Sequence, residues 1–315
     1  FLTGANFIQY INSYKETLGY VFKIKDELVN TTKKKISKNL INKYHHDRFS
    51  NKICGLFVDK KTLKKIYQSK NEKNTLSFIK KLKGYRSINL FAAHCFSDAP
   101  HTFSKLVFRD YYDQFVSTIK FLKKIENNKD LWIIKAHPER KNYDEEGIIE
   151  KVLSKYNVSN VIICPKNINN NILYKNVDNL VTTGSTIALE FSCIGKKPII
   201  TGEAAYYDKE ICTLVKNKKE YFNLLRNISE YKNKMNKNQI LKSKYMLYIL
   251  DNLIVNNLPM SKILPSNTKY SNNSLSYLKT INKNRTVNKI QSIFDDLFYK
   301  QLERKIKQRL SNKFN

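Results

Sequence analysis

A run of small residues followed by a carboxylate has the residue types that bind a nucleotide. It reads TTGSTIALE at positions 182–190 and follows an apolar run that predicts a strand. Gly184 lets a ligand approach the backbone, while the hydroxyls of Ser185 and Thr186 and the free N–H groups of a helix start suit a phosphate. Glu190 lies one helical turn beyond Thr186, where a carboxylate can accept hydrogen bonds from two ribose hydroxyls. The structural alternatives are ordinary helix capping at Ser185 and Thr186 and a surface ion pair at Glu190.

Groups that carry or donate positive charge gather after another predicted strand. Lys135, His137 and Arg140 lie within the six residues KAHPER, and Pro138 fixes the turn that follows His137. Such a set suits a diphosphate or the phosphate of a leaving nucleotide. A lone histidine is usually structural, but this one lies where open α/β sheets bind ligands. The segment therefore predicts a phosphate subsite that includes His137.

The third group is the segment FAAHCFSDAPH at residues 91–101, which brings two histidines and an aspartate into one loop after a strand. Asp98 or a histidine here can be the general base that deprotonates an acceptor hydroxyl. Zinc ligation by His94, Cys95, Asp98 and His101 is an alternative, but the spacing matches no strong zinc pattern and we expect no metal. Asp98 could equally cap a following helix.

Short apolar runs alternate with helical segments between residues 88 and 228. This alternation is typical of βαβ units, and it predicts an α/β fold with a Rossmann-like, doubly wound parallel sheet. All three groups then lie at or just after the carboxyl ends of strands. We expect strands at 88–93, 131–136, 160–164, 179–183, 197–201 and 211–215, and helices at 111–124, 145–155, 186–194 and 219–228.

The flanking segments have a different pattern. Residues 1–85 look mostly helical, with a strand-like run at 53–58 and an amphipathic helix at 74–82 that Gly84 closes. Residues 231–315 look helical and basic. Their last part, 286–310, carries one apolar stripe, which predicts a helix packed on its own protein or, alternatively, on a membrane surface. We therefore divide the chain into segments 1–85, 86–230 and 231–315, and because it opens at Phe1 we expect residues before it.

Charge and composition restrict the class of protein. The formal net charge is +30, but the lysines are spread along the whole chain, which favours a solvated surface that attracts polyanions and anionic lipid headgroups. Arginine is scarce and no binding module appears, so we expect no nucleic acid partner. No apolar run reaches eighteen residues, which argues against a membrane-spanning helix. Five scattered cysteines without a CxxC pair fit a reducing, cytoplasmic location.

In their order, the three groups resemble the capsule and surface polysaccharide biosynthesis proteins, the family that includes Kdo transferases. Members have an aromatic-rich Asp-Ala loop, a strand ending in His-Pro, and a Thr-Gly-Ser/Thr turn followed by a glutamate and Gly-Lys-Pro. The matching residues here are 96–99, 135–138 and 183–190, with Lys197 and Pro198 after them. The resemblance covers about 140 residues, the size of one doubly wound domain.

The resemblance implies a metal-independent GT-B glycosyltransferase without a cofactor, whose amino-terminal domain is incomplete or reduced in this chain. It implies that His137, Ser185 and Thr186 contact phosphate, that Glu190 holds the ribose, and that Glu203 lies close to the donor. The implied partners are a nucleotide sugar, with a CMP-linked acid sugar as the first expectation, and a bacterial polysaccharide or glycolipid acceptor. Peripheral contact with the inner face of the cytoplasmic membrane would fit the charge. The motifs do not assign the general base.

Other functions remain open at this point. A nucleotide-sugar epimerase or a phosphopolyol transferase would use the same phosphate cradle. A non-catalytic scaffold of a polysaccharide complex and a basic nucleic-acid-binding protein are alternatives from other classes. The presence of His137 and Glu190 argues against the scaffold.

Overall fold

The computed structural model describes most of the chain up to residue 253. The described residues are 24, 26–50, 72–98, 105–125, 129–166 and 168–253, together with two short strands, β1 (Leu2–Gly4) and β2 (Phe7–Gln9), which pair antiparallel. By its contacts the chain divides into two compact units, residues 1–257 and 258–315, and every described residue belongs to the first. The predicted strand at 53–58 and helix at 286–310 lie outside the described residues.

Six strands form one sheet in which every neighbouring pair is parallel. Their order across the sheet is β5-β4-β3-β6-β7-β8. The strands are β3 (Ser87–Ala92), β4 (Asp130–Lys135), β5 (Val161–Ile163), β6 (Asn179–Thr182), β7 (Ile199–Ile200) and β8 (Thr213–Leu214). All six predicted strands are present, and the prediction of an α/β fold with a parallel sheet is confirmed.

Apolar residues line both faces of the sheet, which explains why its strands are nearly continuous apolar runs. Leu90 and Ile133 belong to one hydrophobic core, whereas the neighbours Phe91 and Trp132 belong to the other. This division follows the pleat, because successive side chains of a strand point to opposite faces. A strand buried on both sides needs helices on both sides, and the chain supplies them.

Nine α-helices are described. They are α1 (Asp26–Lys35), α2 (Lys38–Phe49), α3 (Glu72–Lys81), α4 (Tyr111–Ile125), α5 (Ile148–Tyr156), α6 (Asn170–Asn176), α7 (Thr186–Cys193), α8 (Lys218–Arg226) and α9 (Lys237–Tyr248). Helices α4, α5 and α8 contribute buried side chains to the core that contains Trp132. The other six contribute to the core that contains Leu90, so the sheet is covered on both faces.

Helices from both flanking segments pack on this sheet. Ile41 of α2 and Met246 of α9 are buried in the same core as Leu90 of β3. A π-helical turn, Ile249–Leu253, continues α9. The division of the chain by its contacts falls at residue 257, and the segment boundaries near residues 85 and 230 stay predictions. Among the described residues, no helix is long and apolar enough to span a bilayer.

The turn between α7 and β7 shows why this stretch needs glycine and lysine. Gly195 has φ +90°, a left-handed conformation that closes α7. Lys196 then donates its ammonium protons to the carbonyl oxygens of Tyr174 (3.2 Å) and Val177 (2.6 Å) at the end of α6. The carboxyl end of a helix carries partial negative charge, so the cation stabilises it. The first residues of the Gly-Lys-Lys-Pro sequence thus fix how α6 and α7 lie together.

Candidate functional site

The strand order creates a crevice at one point of the sheet. Numbered within the sheet, the order is 3-2-1-4-5-6, so the chain leaves β3 toward one edge and leaves β6 toward the other. Ligands of open α/β sheets bind outside the carboxyl ends of strands at this switch point. Thr182 at the end of β6 donates a hydrogen bond to the carbonyl oxygen of Ala92 at the end of β3, 2.9 Å away. The loop with His94 and the turn with Gly184 therefore begin side by side.

His137 comes from the turn after β4, and its hydrogen bonds assign its tautomer. The backbone N–H of Glu139 donates to Nδ1 of His137 at 3.3 Å, and the Cys95 sulfur lies 3.1 Å from the same nitrogen. Burial raises the pKa of Cys95 to about 12, so its thiol is protonated and can donate as well. Because Nδ1 accepts, the proton of the neutral ring belongs on Nε2. Burial, with help from nearby His94, lowers the pKa of His137 to about 4 and keeps the ring neutral.

His94 stacks against His137 but has the opposite hydrogen-bond pattern. The two rings are 5.5 Å apart between centroids and 20° from parallel. Nδ1 of His94 lies 3.2 Å from the carbonyl oxygen of Cys95 and 3.8 Å from a carboxylate oxygen of Asp98. Both neighbours are acceptors, which assigns the proton to Nδ1 and leaves Nε2 as an acceptor. Two adjacent imidazoles thus offer one donor and one acceptor at the switch point.

Asp98, the predicted base, lies in this cluster as a half-exposed side chain. Its side chain is 41% exposed, and the Tyr143 hydroxyl hydrogen-bonds to it. Burial, together with the Asp98 carboxylate, raises the pKa of Tyr111 to about 12, and the Tyr111 ring packs 4.4 Å from that of His94. The geometry therefore brings Asp98 and His94 together as a carboxylate–imidazole pair. Whether Asp98 also caps a helix depends on residues outside the described ones.

Glu145, which the sequence analysis did not select, holds the loop that carries His94 and Asp98. Its carboxylate accepts hydrogen bonds from the N–H groups of Phe96 (2.8 Å) and Ser97 (2.7 Å) and from the Ser97 hydroxyl (2.6 Å). Glu145 is only 5% exposed. A carboxylate that accepts three such hydrogen bonds holds the loop in one conformation, because bonds to a charged acceptor are stronger than neutral ones. No sequence pattern indicates this role, because Glu145 falls where a helix was predicted.

The start of α7 has no side-chain cap. Ser185 occupies the N-cap position, but its hydroxyl lies 3.0 Å from the Thr182 hydroxyl and forms no capping bond to the helix. The Tyr206 hydroxyl donates to the backbone carbonyl of Ser185 at 2.7 Å and holds the turn. The capping alternative for Ser185 is therefore not realised. The N–H groups at the beginning of α7, around Thr186, keep the arrangement that suits an anion.

Gly184 is required by the protein's own packing. A Cβ atom at this position would lie 3.2 Å from the carbonyl oxygen of Gly202 and 3.3 Å from the Cβ of Ala204. The loop after β7 thus covers the turn closely. Glu203 belongs to this loop, and its backbone N–H donates to the carbonyl oxygen of Lys105 at 3.2 Å. This contact ties the loop with Glu203 to the segment before α4.

Glu190 lies in the second turn of α7, where it is 8% exposed. One oxygen accepts a hydrogen bond from Arg48 at 2.8 Å, and the other accepts from the Tyr174 hydroxyl and, at 3.5 Å, from the Asn170 amide. A surface ion pair, the alternative stated above, does not describe such a buried side chain. A carboxylate has about four lone-pair positions, and these three donors leave room for one more hydrogen bond. Glu190 could accept hydrogen bonds from two ribose hydroxyls, as expected, only if the Asn170 amide gave up its hydrogen bond to this carboxylate.

Lys135 and Arg140 do not join His137 in a cationic group. The ammonium of Lys135 donates to the carbonyl oxygen of Ile168 at 3.2 Å, and burial lowers the pKa of Lys135. Arg140 forms a two-bond pair with Glu150 of α5, at 2.8 and 3.2 Å, with its side chain 11% exposed. Both cations are engaged inside the protein.

The described residues contain no group of three or more His, Cys, Asp or Glu that could hold a metal ion. His101, one of the residues considered for zinc, lies outside the described residues. The geometry as described therefore provides hydrogen-bond donors and a helix start for an anion, with an imidazole acceptor beside them.

A comparison with protein families decides the relationship of the chain. The family described as capsule polysaccharide biosynthesis protein matches residues 12–250 of the 315. The chain belongs to this family. The matched span runs from before α1 to the end of α9 and includes the histidine pair, the start of α7 and Arg48. A search of curated proteins found no match.

Solved structures similar to this chain include one polymerase and two transferases. The wall teichoic acid polymerase TagF is 12% identical over 62% of this chain and 47% of its own, with a TM-score of 0.35. The carboxyl-terminal domain of the group 1 glycosyl transferase LpcC from Francisella tularensis is 17% identical over 58% and 93%, with a TM-score of 0.33. KpsC of Thermosulfurimonas dismutans, a β-Kdo 2,4 transferase, is 15% identical over 55% and 52%, with a TM-score of 0.29. The chain thus matches about half the length of TagF and KpsC.

Proposed function

We propose that this chain is a GT-B glycosyltransferase that moves a sugar from a nucleotide-sugar donor to a growing bacterial surface polysaccharide. One observation carries the proposal. At the switch point of a doubly wound sheet, the turn with the neutral His137 follows β4 and the uncapped helix start at Ser185 follows β6, and these two strands lie on either side of β3. Membership in the capsule polysaccharide family supports a polysaccharide product.

The donor phosphate is held by hydrogen bonds in this proposal and needs no metal ion. Nε2–H of His137 and the N–H groups around Thr186 donate to the phosphate oxygens, where negative charge grows as the nucleotide departs. Donors that are already oriented cost no reorganisation at that moment, which is why they accelerate the step. Glu190 accepts a hydrogen bond from the ribose. We keep a CMP-linked acid sugar as the first expectation for the donor.

The acceptor hydroxyl loses its proton to the His94–Asp98 pair. Nε2 of His94 is the free acceptor, and Asp98 lies 3.8 Å from Nδ1 on the other side of the ring. As His94 takes up the proton it becomes positive, and the nearby carboxylate stabilises that charge.

The net charge of +30 favours an anionic or lipid-linked acceptor at a membrane surface. Binding to anionic vesicles that weakens with added salt is the expected sign of such a surface.

Titration calorimetry with CMP, UDP, GDP and CDP tests the donor site. We expect one nucleotide to bind at about micromolar affinity, His137→Ala to abolish this binding, and Glu190→Gln to weaken it roughly tenfold or more through the lost hydrogen bond to the ribose. His46→Ala is the matched control, because His46 is an exposed histidine on α2 and should leave binding unchanged. Chelating agents should not change the affinity if no metal takes part. Absence of binding by the folded wild-type chain to all four nucleotides would refute the proposal.

A further inference from the structure

A buried guanidinium joins Glu190 to parts of the chain far away in sequence. Arg48 of α2 donates from Nη2 to Glu190 at 2.8 Å and from Nε to Asp251 at 3.3 Å. The exposed fractions of the three side chains are 14%, 11% and 3%. Asp251 lies in the π-helical turn after α9, so helix α2, helix α7 and this turn meet at one cation. The Tyr44 hydroxyl also donates to Asp251, at 2.9 Å.

The guanidinium of Arg48 contacts both carboxylates at this place. Two carboxylates, Glu190 and Asp251, face one guanidinium. Burial raises the pKa of Asp251, and Arg48 opposes this shift. Although burial disfavours a charged guanidinium, the two carboxylates raise the pKa of Arg48. Removing the cation would leave two carboxylates close together in a site with little water, which is costly.

Such an ion pair is weak support for a role in stability. Buried salt bridges often stabilise a protein no more than apolar residues of the same volume would. What this one does fix is the direction of the Glu190 carboxylate, because the fork of an arginine is planar and directional. Tyr174 of α6 fixes the second oxygen of the same carboxylate. Glu190 is thus held from two sides, one turn beyond the helix start that the proposed function assigns to phosphate.

We propose that Arg48 is a positioning residue for ribose recognition: it aims the Glu190 carboxylate so that its remaining lone pair meets a ribose hydroxyl of the donor. This inference rests on the proposed function, because it takes the switch point as the nucleotide site. It adds a residue from the helical segment before the sheet to a site that the sequence motifs confine to residues 94–203. In this proposal Glu190 recognises the ribose through a single hydrogen bond, which its one remaining lone pair accepts.

The test compares CMP with 2′-deoxy-CMP, because the two differ by one ribose hydroxyl. A hydrogen bond to a charged group contributes about 1.5–3 kcal/mol, so the wild type should bind CMP roughly tenfold or more tightly than the deoxy form. Glu190→Gln should lower this ratio toward one. Arg48→Gln should lower it as well, while Arg48→Lys, which keeps the charge, should restore part of it. Arg86→Gln is the control, because Arg86 pairs with the carboxylate of Asp130 at the amino ends of β3 and β4, away from the proposed site.

Each outcome separates this inference from the proposed function. If the wild type binds no nucleotide, both fail. If it binds CMP and 2′-deoxy-CMP equally, or if Arg48→Gln weakens both by the same factor, nucleotide binding stands and the positioning role is refuted. Combining Arg48→Gln with Glu190→Gln should lower the ratio no further than either change alone, because Arg48 acts through Glu190. If Arg48→Gln does not fold, Tyr174→Phe replaces it, since it removes only the hydroxyl on the other oxygen and should lower the ratio too.

Discussion

At the residue scale, the site depends on how each polar group is held. His137 and His94 are the same residue type on neighbouring loops, yet their partners assign opposite roles to their Nε2 atoms. The sequence indicated both segments, because histidines after strands of a parallel sheet are visible in a pattern. It could not reveal which nitrogen is free, since the partners of the rings are a backbone N–H, a thiol and a carbonyl oxygen. Glu145 escaped notice for a related reason: its function is to accept hydrogen bonds from backbone atoms.

Glu145→Gln should loosen the loop that carries His94 and Asp98. An amide has one acceptor oxygen where the carboxylate has two, so at least one of the three donors of Phe96 and Ser97 loses its partner. We expect the free energy of unfolding to fall by about 1–3 kcal/mol and the nucleotide affinity to fall with it. Chemical denaturation and calorimetry measure the two effects.

The neighbouring residue provides the control for this change. Glu146 is 48% exposed and pairs at 3.3 Å with Lys166, whose side chain is 74% exposed. A surface pair of this kind contributes only about 0–1 kcal/mol, so Glu146→Gln should alter neither stability nor binding measurably. Equal effects of the two substitutions would show that Glu145 has no special role in holding the loop.

At the element scale, the sequence predicted the sheet well and the helices on it in part. Continuous apolar runs mark strands buried on both faces, so all six were found. Helix α6 was missed because its segment is rich in asparagine, which is a poor helix former. The helix begins nevertheless, since the Asn169 side chain accepts from the N–H of Asn171 at 2.8 Å and caps it. Helix α5 begins at Ile148, three residues later than predicted, because Gly147 has φ +84° and cannot continue a right-handed helix.

Gly184→Ala tests how tightly the turn before α7 is packed. The new methyl group would meet the backbone oxygen of Gly202 at 3.2 Å and the Cβ of Ala204 at 3.3 Å, so the turn and the loop after β7 must move apart. We expect a loss of about 1–3 kcal/mol of stability, as for other overpacked sites, and weaker nucleotide binding because the helix start is displaced. Thermal unfolding and calorimetry follow the two quantities.

A second substitution tests whether crowding against Ala204 causes the stability loss of Gly184→Ala. Ala204→Gly removes one of the two crowded atoms, so the double variant Gly184→Ala with Ala204→Gly should recover part of the lost stability. If the two changes are instead simply additive in their cost, crowding against Ala204 is not the reason for the loss.

At the scale of the whole molecule, the six-stranded sheet lies between two hydrophobic cores. Helices from both flanking segments pack into the core that contains Leu90. The sequence favoured three successive segments because its periodicity changes near residues 85 and 230. The contacts that cross these boundaries join residues far apart in sequence, and no local pattern encodes them. Arg48 with Asp251 is one such contact. Another is Lys242 of α9, which meets Asp26 at 2.9 Å and Asp208 at 2.8 Å and so ties α1 to the loop after β7.

Two partly buried histidines on different parts of this molecule should make it sensitive to acid. Burial lowers the pKa of both His45 and His137 to about 4, with smaller effects of Lys244 on the first and His94 on the second. In the unfolded chain the value is 6.5, so between pH 6.5 and 4 the unfolded state binds more protons. Stability therefore falls as the pH is lowered through this window, by up to about 1.4 kcal/mol per pH unit for each histidine.

Denaturant unfolding of the wild type at several pH values between 4.5 and 7.5 measures how steeply the free energy of unfolding depends on pH. His45→Gln and His137→Gln should each make this dependence shallower, whereas His46→Gln, on the exposed side of α2, should not. A wild-type slope that neither buried substitution reduces would mean that other groups control the acid stability, and the neutral state of His137, on which its role as a donor depends, would lose its support.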